Sequence, residues 1–360
     1  MPHRSRRTAP TVRPATLLAA ASLALVAGCS SSSDPASSSS DPKTTEAAKT
    51  AAEKPLIGVG EANQVVDAYQ KLNNQANAQR SLTLMAKAED GAMLAADKGY
   101  FTQLPELDPK QVASNLAPFA YVQRSFFIPP ASAKADWFLM KARFADLKGG
   151  KPAAPSSTYT RFMVFRHTGG GWRAVAAAGF SGAEQKDIPA LAVDRQGLAS
   201  VAAPTTRIGR TAPADLAGLV ADLYATGGDK RVLAKTRERD DAIGVWADRG
   251  EHLDAHAYAT YAVARPHVGA TYAMRTADGG ALVLSDSAVD ETVLAKDVNS
   301  WVTLGKSLQP FVKHGSARMS QVVQHDLQSQ LGVVSPSGGT AVYAIDQQTT
   351  GIDATPMPAT

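Results

Sequence analysis

The amino-acid sequence predicts an α+β protein with two similar halves, each made of helices packed on a curved antiparallel sheet. Each half begins with apolar residues at helical spacing, and strand-like runs separated by Gly and Pro follow. Segments 166–172 and 275–281 also place glycines at the same spacing between two such runs, as hairpins do. Helices followed by an antiparallel meander are typical of α+β domains.

The first half, residues 59–205, is expected to begin with helix and to continue with four strands. Its first helix carries apolar side chains three or four residues apart, which are Val65, Val66, Tyr69, Leu72 and Ala76. A second helical stretch is expected over 82–96. The strands are expected near 121–128, 137–144, 159–167 and 172–180.

The second half, residues 206–360, repeats this order. Its helix is indicated by Leu216, Leu219, Val220 and Leu223, with Asp215 at the start, where an acidic side chain is favourable. Strands are expected near 253–264, 271–276, 281–289, 318–327 and 340–347, with a helix or loop over 297–312. A stretch of weak periodicity over 181–212 joins the halves.

This order of elements resembles the cystatin-like or NTF2-like class of small α+β domains. The resemblance implies a cone-shaped pocket between helix and sheet. Such folds include enzymes as well as proteins that only bind or pack, so the fold class does not by itself select an activity.

The first 28 residues are expected to be a secretory signal peptide. Four arginines and no acidic residue precede a short apolar run over 15–26. That run is shorter than the roughly 20 residues that span a bilayer, which favours an export signal over a membrane helix. Ser5-Arg6-Arg7 matches a twin-arginine signal only weakly, so export by the general secretion route is expected.

The signal ends in Leu25-Val26-Ala27-Gly28-Cys29, which resembles the lipobox of bacterial lipoproteins. This resemblance implies that diacylglycerol is attached to the Cys29 thiol and that a peptidase cuts between Gly28 and Cys29. The mature protein would then be held by lipid on the extracytoplasmic face of the cell membrane. The alternative is a small buried cysteine. Since the chain has one Cys, a disulfide or a cysteine-rich metal site is excluded.

Residues 29–58 are expected to form a disordered stalk, because they are rich in Ser, Ala and Pro and poor in large apolar side chains. The basic pI of the whole chain comes from the signal. Without the four arginines of residues 1–28, the chain carries 33 basic and 33 acidic residues. Nucleic-acid binding needs a basic face and is therefore not expected.

Candidate chemistry is sparse. His252, Asp254 and His256 share one side of a strand if alternation holds, and they could approach a metal; a solvated strand face is the favoured alternative. No nucleotide-binding glycine motif and no calcium loop is present, so no cofactor is expected.

Four aromatic residues of the first half suggest a ligand pocket, provided that they share the concave face of the sheet. They are Trp137, Tyr159, Phe162 and Trp172. The alternative is that these side chains simply belong to the core.

Several short motifs of the chain accompany the lipobox and the Ser-rich segment. They are Tyr69-Gln-Lys-Leu-Asn-Asn74, Glu89-Asp-Gly91, Phe127-Ile-Pro-Pro130 followed by Trp137-Phe138, and Gly332-Val-Val-Ser-Pro336. On these residues the chain resembles predicted cell-envelope lipoproteins of Streptomyces-type actinobacteria. The resemblance implies no activity.

Together these features predict a lipid-anchored envelope protein that binds a small apolar ligand or another envelope protein and is not an enzyme. Its membrane partner would be the lipid on Cys29. Two alternatives remain open, namely a metal-dependent envelope hydrolase using His252, Asp254 and His256, and a structural assembly factor.

Overall fold

The computed structural model describes residues 53–154, 159–181, 186–228, 232–249, 257–265, 269–312 and 318–357. The predicted signal peptide, the lipidation residue Cys29 and residues 29–52 of the predicted stalk lie outside these ranges. Residues 53–58 are described, and among them Ile57 is buried. The described residues from Glu53 onward belong to one compact unit.

The α-helices are α1 (Val59–Gln79), α2 (Leu82–Ala88), α3 (Gly91–Gln103), α4 (Pro109–Asn115), α5 (Asp215–Thr226) and α6 (Arg237–Ala247). The helical stretch predicted over 82–96 is therefore two helices. Asp90 starts α3 as its N-cap, with its carboxylate accepting from the Gly91 amide at 2.7 Å. Gly91 takes a positive φ of 59°, which a glycine tolerates without strain.

The first antiparallel sheet contains β1 (Phe119–Phe127), β2 (Trp137–Lys148), β3 (Lys151–Pro152), β4 (Tyr159–Thr168) and β5 (Gly171–Ser181). Its strand order is β1-β2-β4-β5, and β3 folds back on the end of β2. The four strands predicted for the first half are confirmed. Gly171, at a φ of 100°, allows the tight turn between β4 and β5.

The second antiparallel sheet contains β6 (Ala257–Arg265), β7 (Tyr272–Arg275), β8 (Ala281–Ala295), β9 (Met319–Val334) and β10 (Thr340–Pro356). Its order is β10-β9-β8-β6, and β7 pairs with the first residues of β8. The strand predicted to end near residue 289 continues to Ala295, because Asp290, Glu291 and Thr292 pair with both β6 and β9. Residues 306–311, inside the predicted helix or loop, form a 3-10 helix.

The two sheets face each other across a shared apolar core, in which Trp137, Leu139 and Val164 meet Met274 and Leu331. The opposite face of the first sheet is covered by α1, and the opposite face of the second sheet by α5. The layers therefore run helix, sheet, sheet, helix. The α+β class and two antiparallel sheets are confirmed, and residues from both halves build the central core.

Helix α3 of the first half also packs directly on β10 of the second. A Cβ atom added to Gly99 would lie 2.2 Å from the Thr349 carbonyl oxygen, so only glycine permits this approach. At the same contact the Gln348 side-chain amide donates to Gln103 at 2.9 Å.

Candidate functional site

An open cleft of about 630 Å³ lies between residues 130–137, which join β1 to β2, and the extended segment 194–204. Glu53, the first described residue, lies at its rim, and Trp137 contributes to its lining. A volume of this size is within the range of small-molecule pockets.

The first wall of the cleft is fixed by the chain that enters the folded body. Leu56 donates its amide to the Pro129 carbonyl, and Ala131 donates its amide to the Lys54 carbonyl, both at 2.9 Å. Ser132 donates its hydroxyl to the Glu53 carboxylate at 2.8 Å. Three contacts therefore hold this wall against residues 53–56.

The second wall is a strand-like segment that connects the two sheets. Ala199 donates its amide to Ile128 at 2.9 Å, next to the end of β1, and Ala202 donates to Ala273 of β7 at 2.9 Å. At its start, the Asp194 carboxylate accepts from the amides of Gln196 and Leu198, at 2.8 and 2.9 Å. Both walls are thus held by backbone hydrogen bonds, which favours a preformed cleft.

A separate buried polar network lies between α1 and the α2–α3 junction. Glu89, 1% exposed, accepts the Tyr69 hydroxyl and the Asn73 amide on the same oxygen, each at 3.0 Å. Asn77 in turn donates to the Asn73 side-chain carbonyl at 3.0 Å. Two separate motifs of the sequence, 69–74 and 89–91, therefore meet at one carboxyl group.

Burial raises the pKa of the Glu89 carboxyl well above its ordinary value, and the nearby Asp97 carboxylate raises it further. Burial and the charge of Glu89 also raise the pKa of the Tyr69 hydroxyl. These shifts favour a protonated Glu89. Perturbed carboxyl groups mark functional sites only in combination with an accessible cleft, and Glu89 does not line the cleft at residues 130–137.

A third group of charges crosses the second sheet. His325 on β9 bonds through Nδ1 to Asp290 on β8 at 2.8 Å and through Nε2 to Asp353 on β10 at 3.0 Å. Arg265 on β6 donates to the same Asp290 carboxylate. Partial burial lowers the pKa of His325, but these two carboxylates outweigh it and leave the pKa above its ordinary value.

Comparison with known proteins assigns the chain to a family. Residues 53–354 match the model of a domain of unknown function, DUF8094. The chain belongs to this family. A relative described as an uncharacterized lipoprotein of Streptomyces coelicolor is 28% identical to this DUF8094 protein over 287 residues, which cover 78% of this chain and 76% of the relative. The predicted resemblance to actinobacterial lipoproteins is confirmed. No solved structure matches the chain.

In this DUF8094 protein the four aromatic residues predicted to line one pocket do not share a face. Trp137 and Phe162 point into the core between the sheets, and only Trp137 reaches the cleft. Trp172 packs against Phe138 with the two rings tilted by 60°, and Tyr159 contacts Phe144, on the helix-covered face. The reason is strand alternation, since positions 159 and 162 have opposite parity on β4.

The predicted metal ligands His252, Asp254 and His256 lie outside the described residues, as do Gly28 and Cys29. Within the described ranges, no three His, Cys, Asp or Glu side chains are grouped so that they could hold a metal ion. In the same ranges, no helix is both long and apolar enough to cross a membrane.

Sequence reasoning missed one wall of the cleft. Residues 198–204, Leu-Ala-Ser-Val-Ala-Ala-Pro, fall in the stretch of weak periodicity, and their sequence carries no ligand motif. The usable signal was Pro129-Pro130, because two prolines end β1 and leave the next residues to form a wall.

Proposed function

We propose that this DUF8094 protein is a lipid-anchored binding module of the cell envelope, on the extracytoplasmic face, and that it acts without catalysis. The observation that carries the proposal is the cleft between residues 130–137 and 194–204. Its volume of about 630 Å³ suits a small molecule, and hydrogen bonds to Ile128, Pro129 and Ala273 hold its walls.

The proposed anchor is diacylglyceryl Cys29, supported by the lipobox-like sequence and by the lipoprotein relative. The segment between Cys29 and Glu53 spans at most about 80–85 Å when fully extended. Because Glu53 lies at the rim of the cleft, the proposed binding site is on the part of the folded body nearest to the anchor in sequence.

The binding test uses a mature chain carrying Cys29→Ser, mixed with a small-molecule library and followed by ligand-observed NMR. The variant Ala133→Trp places a large ring at an exposed position of the cleft lining and should abolish binding. The control Ala131→Trp changes an exposed neighbour that does not line the cleft and should leave binding unchanged. Equal binding by both variants would refute the cleft as the site.

The absence of catalysis is tested separately, against the hydrolase alternative. Stoichiometric zinc in the purified wild type that disappears in His256→Ala, together with hydrolytic turnover that follows the zinc, would contradict the proposal. Retention of ligand binding in the zinc-free protein, with no turnover, is the expected result.

We further propose that each half is related to cystatin-like or NTF2-like domains. Placement of α1 on one face of the first sheet and of α5 on one face of the second supports this relation.

A further inference from the structure

We propose that the cleft takes a short, unblocked peptide with apolar side chains. This inference rests on the proposed function and specifies its ligand. Three features of the cleft carry it: charged side chains of both signs in the lining, the N–H and C=O of one residue that bond to no other described residue, and an apolar wall.

The charges are Lys134 on one wall, Asp194 on the other and Glu53 at the rim. Lys134 is exposed, adopts a left-handed φ of 54°, and forms no ion pair within the described ranges. Asp194 and Glu53 each use one oxygen in a hydrogen bond, to backbone amides and to Ser132 respectively. Within the part of the chain that the structure describes, the second oxygen of each carboxylate accepts no hydrogen bond. The two carboxylates and Lys134 can therefore receive an ammonium and a carboxylate together.

The backbone N–H and C=O in question belong to Val201. Its two neighbours in the chain form backbone hydrogen bonds with β7. The Arg275 amide donates to the Ser200 carbonyl at 2.7 Å, and the Ala202 amide donates to the Ala273 carbonyl at 2.9 Å. In an antiparallel bridge of this kind, the N–H and C=O of the central residue point away from the partner strand. For Val201 that direction is toward the side on which Ala199 reaches Ile128.

On that side, the N–H and C=O of Val201 have no hydrogen-bond partner among the residues that the structure describes. The facing wall contains Pro130, which has no N–H to offer. An extended peptide in the cleft could accept a hydrogen bond from the Val201 N–H and donate one to the Val201 C=O, as a strand added to a sheet edge does.

The apolar wall consists of Pro130, Ala135 and Val201, which line the cleft and are only half-buried, so that they offer a ligand apolar surface. A fatty acid would use this wall and Lys134, but it has no ammonium for the carboxylates and no amide for Val201. A peptide uses all three features, which is why the structure favours it over a fatty acid.

The experiment measures binding of the tripeptide Ala-Leu-Ala to the mature Cys29→Ser chain by calorimetry. N-acetylated and C-amidated forms of the tripeptide, and decanoate, are measured in parallel. Each blocked form should bind about two- to fivefold more weakly than the free peptide, the range expected for losing one exposed ion pair. Lys134→Gln should abolish the difference between the free and amidated forms.

Lys151→Gln is the matched control, since Lys151 is an exposed lysine of β3 outside the cleft. It should retain the full preference for the free carboxylate. Equal affinity for free and blocked peptides, or binding of decanoate without peptide, would overturn the inference. A third outcome is that peptides fail to bind, while another library ligand binds the wild type and does not bind Ala133→Trp. In that case the peptide inference is refuted and the proposed function stands. If no ligand binds at all, both are refuted.

Discussion

Replacing Glu89 with Gln is expected to reduce the dependence of the protein's stability on pH. In the unfolded chain the pKa of this carboxyl is near 4.5, whereas burial and Asp97 raise it well above that value in the folded protein. Between the two values the folded state binds more protons than the unfolded state. The free energy of unfolding therefore falls as pH rises through this window, by up to about 1.4 kcal/mol per pH unit.

The Gln variant keeps the shape of the protonated carboxyl and does not titrate. Its amide oxygen can still accept from Tyr69 and Asn73, which now donate to Glu89 at 3.0 Å. The variant should therefore match the wild type near pH 4.5 and exceed it increasingly at higher pH. Glu89→Ala instead leaves both buried donors without this acceptor, and it should destabilise the protein by about 2–5 kcal/mol.

The assay is urea denaturation from pH 4.5 to pH 9, with Glu106→Gln as a control at an exposed carboxyl. The control should follow the wild-type curve. Parallel stability curves for Glu89→Gln and the wild type would refute a buried, neutral Glu89. So would a Gln variant that is less stable than the wild type at every pH.

Three further outcomes are expected. The pKa of His325 is raised by its carboxylate partners, so its contribution to stability is present below pH 6.5 and is lost as pH rises through the folded pKa. In Asp353→Asn, proton NMR should show a lower pKa for His325; an unchanged value would contradict the hydrogen bond to Asp353. Gly99→Ala should lower the urea midpoint through a clash worth about 1–3 kcal/mol, whereas Gly60→Ala, which meets open space, should not. Radiolabelled palmitate should enter the wild type and not Cys29→Ser, and equal labelling would rule out lipidation at that position.

Much of the fold could be predicted because apolar spacing directly reflects which side chains are buried. The stripe through Val66 and Tyr69 predicted α1, and both side chains are at most 4% exposed. Helix α6 was not predicted, because the first five residues of Arg237–Ala247 are all charged and the burial of the helix depends on contacts with α5. The break at Asp90 was missed because an N-cap inside an apolar stretch resembles a polar position on one continuous helix.

The candidate site was less predictable than the fold. Trp137 was selected from the sequence, but its partners across the cleft are about 60 residues away in the chain, in a segment without periodicity. Glu89 was recognised as part of a motif, yet its burial depends on how α1 packs against the α2–α3 junction. Neither proximity follows from local pattern, since both arise only when distant segments pack together.

The pairing of residues 54–56 with residues 129–131 has a mechanical consequence. If the protein is held at its N-terminal end, any tension between membrane and body reaches the fold through the hydrogen bonds of Leu56 to Pro129 and of Ala131 to Lys54. Residues 130–134 form one wall of the cleft, so pulling on the anchor would strain that wall before the apolar core between the sheets. Ligand affinity measured under load would then differ from affinity in free solution.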